Sequence, residues 1–340
     1  MKSIKEHSSV LIGNGLNRAV NNQAISWEKL LKKIAENCNP KVDTDNEFKP
    51  YPLLFEEILH NRNGEFKMRL KELKNEIARL FYDAKPSNLH KTLVKSGFSH
   101  ILTTNYDYTL EKVINPNFIN EKGQTQRNST NETLNSLRRR SIFKSTHLPV
   151  DFPVSELSIW HIHGEIKQRL APSKRKLTTD SNSIMIGYEH YGNYLAEIQK
   201  YLKGERRPGT IRIIERVQSE PFQIRSWVDF FFFGTLHITG FNFDFSENHL
   251  WWLLNYRANL LSSGILKPKK ASKIIYYYHE IIDDSKCGRK SQDAQLQKRK
   301  LTQAKLDLFK ALKVETVPIK IPLNKYKKFY NQFIDCITKQ

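Results

Sequence analysis

Four short polar clusters, each directly after an apolar run, carry the residues of this chain best suited to chemistry. Leu102-Thr103-Thr104-Asn105-Tyr106-Asp107 offers Asn105, an amide that donates and accepts, and Asp107, a charge able to hold a hydroxyl or an amide. Gly13-Asn14-Gly15-Leu16-Asn17 is a turn whose glycines let backbone N–H groups approach a phosphate at a helix start. Arg18 beside it either answers that phosphate or is solvated. His161-Ile162-His163-Gly164 offers imidazole, whose ordinary pKa suits a general base near neutral pH. Gly240-Phe241-Asn242-Phe243-Asp244 has polar groups suited to ribose hydroxyls, or to bending a loop.

Taken singly, these signals are open to plainer readings. The Gly-x-Gly turn departs from the dinucleotide fingerprint: Arg18 occupies the place of its third glycine, and no acidic residue ends a second strand about 20 residues on. Strand alternation predicts that His161 and His163 face the same side. As joint metal ligands they lack a third and fourth partner nearby, so no metal is expected. His90 and Trp27 read as structural residues.

Apolar spacing supplies the elements that must position these clusters. Short apolar runs predict strands over residues 9–12, 98–102, 157–160, 183–186, 235–239, 274–278 and 314–319. Helical periods are read at 53–59, 66–81, 88–95, 188–202, 225–233, 246–261, 306–312 and 326–337, and Ser26 is a natural N-cap for one opening at Trp27. Residues 115–140 and 167–180 are apolar-poor and read as loops, and 283–305 reads as a charged segment without a core face. Strands alternating with helices argue for an α/β fold around a parallel sheet. In such sheets the ligand crevice lies beyond the carboxyl ends of the strands, where the polar clusters fall.

A hydrophobic content of 39 % with 26 % charged residues is that of a globular chain. Residues 1–9 carry no signal-peptide core, and no apolar run is long enough to span a bilayer. The three cysteines are isolated, which excludes a disulfide framework and a four-Cys zinc site within one chain. A reducing, cytoplasmic setting is expected. The net charge of +20 reads either as a solvated surface or as attraction to nucleic acid or another polyanion.

The four clusters together resemble the sirtuin superfamily, specifically the sirtuin-like domains of bacterial antiphage defence. Gly13-Asn14-Gly15-Leu16-Asn17 is similar to the family's Gly-Ala-Gly-x-Ser loop, departing at Asn14 and Asn17. Thr104-Asn105-Tyr106-Asp107 resembles its Thr-x-Asn-x-Asp segment, His163-Gly164 its catalytic His-Gly pair, and Gly240-Phe241-Asn242 with Asp244 its late Gly-x-Ser segment. The resemblance covers about residues 8–320. It implies a Rossmann-like parallel sheet with helices on both faces and an inserted helical module over 42–95. The whole of 1–340 would be a single domain, with a polar loop region at 115–156.

By the same resemblance, Gly13 and Gly15 would cradle the NAD+ pyrophosphate, with Asn14 and Asn17 in the same loop. Asn105 would lie against the nicotinamide ribose and the attacking water, Asp107 would hold the carboxamide, and His163 would act as general base. Gly240, Asn242 and Asp244 would bind the adenosine side. With no zinc ribbon for an acyl-lysine channel, the resemblance implies an NAD+ hydrolase releasing nicotinamide and ADP-ribose, with NAD+ as substrate and no metal. It would be a triggered, NAD-depleting antiphage effector. A homo-oligomer is implied, and the net charge of +20 permits nucleic acid or a DNA-translocating ATPase as trigger. The alternatives are an NAD-dependent deacylase or ADP-ribosyl transferase, or a non-catalytic basic nucleic-acid-binding subunit.

Overall fold

The structure, a computed structural model, describes residues 7–20, 25–46, 48–81, 84–116, 118, 137–166, 168–170, 177–179, 184–205, 211–219, 221–282, 289–322 and 325–338. Its strands are β1 (Ser8–Ile12), β2 (His100–Thr103), β3 (Arg140–Lys144), β4 (Glu156–His161), β5 (Gln168–Leu170), β6 (Leu177–Thr179), β7 (Thr235–Thr239), β8 (Lys273–Ile282) and β9 (Glu315–Pro322). Seven of them form one sheet in the order β3-β4-β2-β1-β7-β8-β9. All neighbours in it are parallel except β3, which runs antiparallel to β4 at the edge. This is an α/β, Rossmann-like fold.

The sheet grows from β1 first toward β2 and β4, and the chain later returns on the other side of β1 with β7, β8 and β9. That reversal opens a crevice beyond the carboxyl ends of β1 and β7. β1 is buried on both faces, as a central parallel strand must be. Its side chains divide by the two-residue period: Leu11 packs into one core with Leu102, Trp160, Leu236, Ile238 and Tyr276. Val10 and Ile12 pack into the opposite core with Ile101, Ile159, Ile275 and Tyr277.

Helices cover both faces. They are α1 (Gly15–Val20), α2 (Trp27–Ala35), α3 (Tyr51–His60), α4 (Phe66–Phe81), α5 (Asn88–Val94), α6 (Glu111–Ile114), α7 (Tyr188–Lys203), α8 (Ile213–Gln218), α9 (Asn248–Ser262), α10 (Arg289–Ala311) and α11 (Tyr326–Thr338). α7 and α9 bury Tyr194, Ile198, Leu250, Leu253 and Leu254 on the Leu11 face. α5 and α11 bury Leu89, Leu93, Phe329 and Phe333 on the Val10 face. A third cluster joins α2, α3 and α4 through Leu30, Leu31, Leu54, Phe55, Leu73 and Ile77, and includes Tyr106, Ile166 and Ile186 from loops at the strand ends. α2 begins before residue 42 and α5 belongs to the sheet face, so the packing does not follow the 42–95 boundary of the expected insert.

Three expectations are corrected. Residues 283–305 contain the start of a long helix, α10; its Lys, Arg and Gln are strong helix formers, and among its described residues only Lys305 and Phe309 are buried. Residues 225–233 form a short 3-10 turn, Trp227–Phe231, rather than a buried α-helix. The expected loops hold strands: β3 lies within 115–156, and β5 and β6 make a separate hairpin within 167–180. Of the 115–156 region, 117 and 119–136 fall outside the described residues. Among the described residues no helix is long and apolar enough to cross a membrane.

Candidate active site

The loops after β1 and β7 touch, and glycine makes that contact possible. The Gly13 N–H donates to the Thr239 carbonyl (3.3 Å) and the Gly15 N–H to the Gly240 carbonyl (2.9 Å). A Cβ on Gly13 would lie 2.7 Å from the Gly240 oxygen, and one on Gly15 would lie 2.5 Å from Tyr330 Oη. Gly240 itself has φ +63°, and a Cβ there would also collide with the Tyr330 hydroxyl. In this arrangement the two N–H groups expected to face a phosphate are spent on the neighbouring loop.

A cleft of about 1500 Å³ opens over this junction. Of the sequence-predicted residues, Asn14, Gly15, His163, Gly240, Asn242 and Asp244 line it. Their side chains are partly committed: Asn14 Nδ2 donates to the Ile25 carbonyl (2.7 Å), and Asp244 Oδ1 accepts from the Ser246 N–H (2.9 Å) and hydroxyl (2.7 Å). Lys305 Nζ donates to the Asn242 carbonyl (3.0 Å). Arg18, Lys325, Lys327 and Lys328 give the same cleft a basic rim.

His163 is 1 % exposed and lies where β4 has ended and the chain turns. Its Nε2 is 3.2 Å from His249 Nε2 and 3.3 Å from Glu247 Oε2. Tyr191 stacks on His249 at 5.2 Å, and Phe241 meets His163 edge-on at 6.3 Å. Burial, and then the neighbouring His163, hold the His249 pKa well below the usual histidine value, so this ring is neutral.

His161 takes no part in that cluster, which corrects the expectation that the two histidines share a side. β4 stops at His161, and strand alternation no longer governs the turn that follows. His161 Nε2 meets Glu111 Oε1 at 2.8 Å, and its Nδ1 meets the Asn105 carbonyl at 3.1 Å, with both side chains of the ion pair fully buried. Burial disfavours the imidazolium, but the Glu111 carboxylate outweighs it and lifts the His161 pKa to about 9. The charged ring therefore donates both N–H groups, and Ser141 Oγ supplies Glu111 Oε1 with a further bond at 3.0 Å.

Asn105 is fixed through its backbone: the carbonyl meets His161, and the N–H donates to Thr103 Oγ1 at 3.0 Å. Among the described residues no hydrogen bond occupies its side-chain amide, and the residue is 8 % exposed. Its neighbour Thr104 lines the cleft.

Asn17 and Asp107 come together, though not in the cleft lining. Ser87 N–H donates to His90 Nδ1 (3.2 Å), which leaves the proton on Nε2 to donate to Asn17 Oδ1 (2.7 Å). Asn17 Nδ2 then donates to Asp107 Oδ2 (2.9 Å), while Asp107 Oδ1 accepts from the Thr109 N–H and hydroxyl at 2.9 and 2.5 Å. This buried chain ties α5, α1 and the loop after β2, with Gly13 just before it in the β1 turn.

Sequence reasoning missed Glu247 and His249, which fell inside a stretch read only as an apolar helix. The available signal was their place at the start of that helix, three and five residues beyond Asp244. Trp27 also lines the cleft, its ring perpendicular to that of Tyr106 at 6.1 Å. Compared with protein-family models and with curated proteins, the sequence matches none. No family is identified.

Proposed function

We propose that this cleft binds NAD+ and cleaves its nicotinamide–ribose bond, releasing nicotinamide and ADP-ribose. The observation that carries the reading is the meeting of His163 with the glycine-pinched β1 and β7 loops in one basic-rimmed cleft at the sheet's switch point. A dinucleotide is a polyanion with two riboses. Arg18 and the lysines at the start of α11 attract its pyrophosphate, while Asn242 and Asp244 offer groups for ribose hydroxyls.

Cleavage breaks the bond between ribose C1′ and the nicotinamide nitrogen, with the electron pair leaving on nicotinamide. The transition state is oxocarbenium-like, as in glycoside hydrolysis. A water attacks C1′ and its proton passes to the His163 imidazole; a base so placed contributes about 10²–10⁴-fold. The Asn105 amide orients that water or the adjoining ribose hydroxyl, and His161 acts as a positioning residue by holding the Asn105 carbonyl. Asp107 secures the loop that presents them. The reading extends to a triggered, NAD-depleting effector of antiphage defence, assembled as a homo-oligomer and switched on by nucleic acid or a DNA-translocating ATPase.

The test follows nicotinamide and ADP-ribose with purified wild type and Asn105→Ala, with and without DNA. Release by wild type that is lost in the variant is expected. Release only in the presence of an acyl-lysine peptide would move the assignment to a deacylase. No NAD+ binding at all, together with salt-sensitive DNA binding, would favour a nucleic-acid-binding subunit.

A further inference from the structure

The cluster around His163 has more donor atoms than a general base requires. His163 Nε2 and His249 Nε2 face one another at 3.2 Å, and Glu247 Oε2 stands 3.3 Å from the former. One donor from each of the three residues lies within 4.8 Å of the others. Glu247 is 7 % exposed, yet its Oε2 has no hydrogen-bond partner among the described residues, and neither has His249 Nδ1. One imidazole N–H donated to the other ring would settle those two nitrogens only. The carboxylate oxygen would stay buried without a hydrogen bond, with the His163 imidazole at 3.3 Å and the His249 imidazole at 4.0 Å.

We infer that His163, Glu247 and His249 form a binding site for a divalent transition-metal ion of the zinc type. Ligand bonds of about 2.0–2.2 Å at tetrahedral angles put neighbouring donor atoms roughly 3.3–3.5 Å apart, close to the His163–His249 and His163–Glu247 separations, while Glu247 Oε2 stands farther from His249, at 4.0 Å from its Nδ1. Two imidazoles with one carboxylate suit zinc or another first-row ion, whereas magnesium and calcium prefer all-oxygen sets. The three residues come from two places, the turn after β4 and the start of α9, so the ion would tie those elements together. His163 and Glu247 line the cleft, which leaves a coordination position open toward it.

The site shares the cleft of the proposed NAD+ cleavage but does not depend on it. An ion on His163 Nε2 engages the lone pair that this nitrogen would use as a base. Ion-loaded and ion-free protein therefore differ in NAD+ turnover.

The test uses the full chain, stripped with a chelator and titrated with Co²⁺ in the absence of NAD+, then challenged with Zn²⁺. The expected result is one equivalent of Co²⁺ with the visible absorption of a four-coordinate site, abolished by Zn²⁺. Glu247→Gln and His249→Gln should each weaken Co²⁺ binding by more than about tenfold. Because His249 is buried, the wild type is also followed alone: Zn²⁺ should raise its thermal midpoint, and the rise should continue with the logarithm of free Zn²⁺ beyond saturation. An unsaturable titration of wild type, or Glu247→Gln binding Co²⁺ as tightly as wild type, would overturn the inference. Nicotinamide release is scored separately on ion-free protein, so either result leaves the NAD+ reading standing or falling on its own.

Discussion

His161 and His163 are separated by one residue and end in opposite surroundings. His161 lies at the carboxyl end of β4 with both nitrogens engaged, charged against Glu111 and braced on the Asn105 carbonyl. His163 lies at the cleft, its Nε2 pointed at a second imidazole and a carboxylate oxygen that has no hydrogen bond among the described residues. The first cluster is closed: every strong donor of the imidazolium has an acceptor, so it holds loops in place. The second cluster is buried at the cleft wall and keeps a carboxylate oxygen and an imidazole nitrogen without hydrogen bonds among the described residues, which is what a metal ligand needs. A single residue of sequence separates them because β4 ends between them.

Perturbing the closed cluster gives the largest effect. His161→Ala removes the cation and leaves Glu111 buried and unpaired, so a loss of about 3–5 kcal/mol in urea-unfolding stability is expected. A loss below 1 kcal/mol would mean that the pair is not the brace described here. Next in size is a pH effect. The folded His161 pKa of about 9 lies above the usual value of about 6.5. Its contribution is thus fully present below about pH 6.5 and is lost as pH rises through about 9, a fall on the order of a few kcal/mol. Glu111→Gln should flatten the stability profile in that window. Smaller still is the cleft side: Gly240→Ala, at φ +63° and against Tyr330, should cost about 1–3 kcal/mol. Tyr330→Phe should recover the part owed to the hydroxyl contact, as read by thermal unfolding.

The same contrast explains what was legible in the sequence. Buried parallel strands write themselves as continuous apolar runs, so 9–12, 235–239 and 274–278 lie in or nearly match β1, β7 and β8, and the polar clusters were rightly placed at strand ends. Ser26 caps α2 as its residue type requires, its hydroxyl accepting from the Lys29 N–H at 3.3 Å. Tertiary choices were hidden. Nothing local says that Asn17 and Asp107 spend their side chains on each other, or that Gly13 and Gly15 donate to the β7 loop. The joining of Glu247 and His249 to His163 crosses more than 80 residues, and no periodicity reports it. The part of α10 before residue 306 escaped because its charged residues carry helix propensity without an apolar face, and only its end was read, at 306–312.

The most direct test of the account measures nicotinamide release and the thermal unfolding midpoint on the same preparations of wild type and His163→Ala. An open, functional histidine predicts release falling by about 10²–10⁴-fold while the midpoint stays within a few degrees. A variant that releases nicotinamide at the wild-type rate, or that unfolds as readily as His161→Ala, would contradict it.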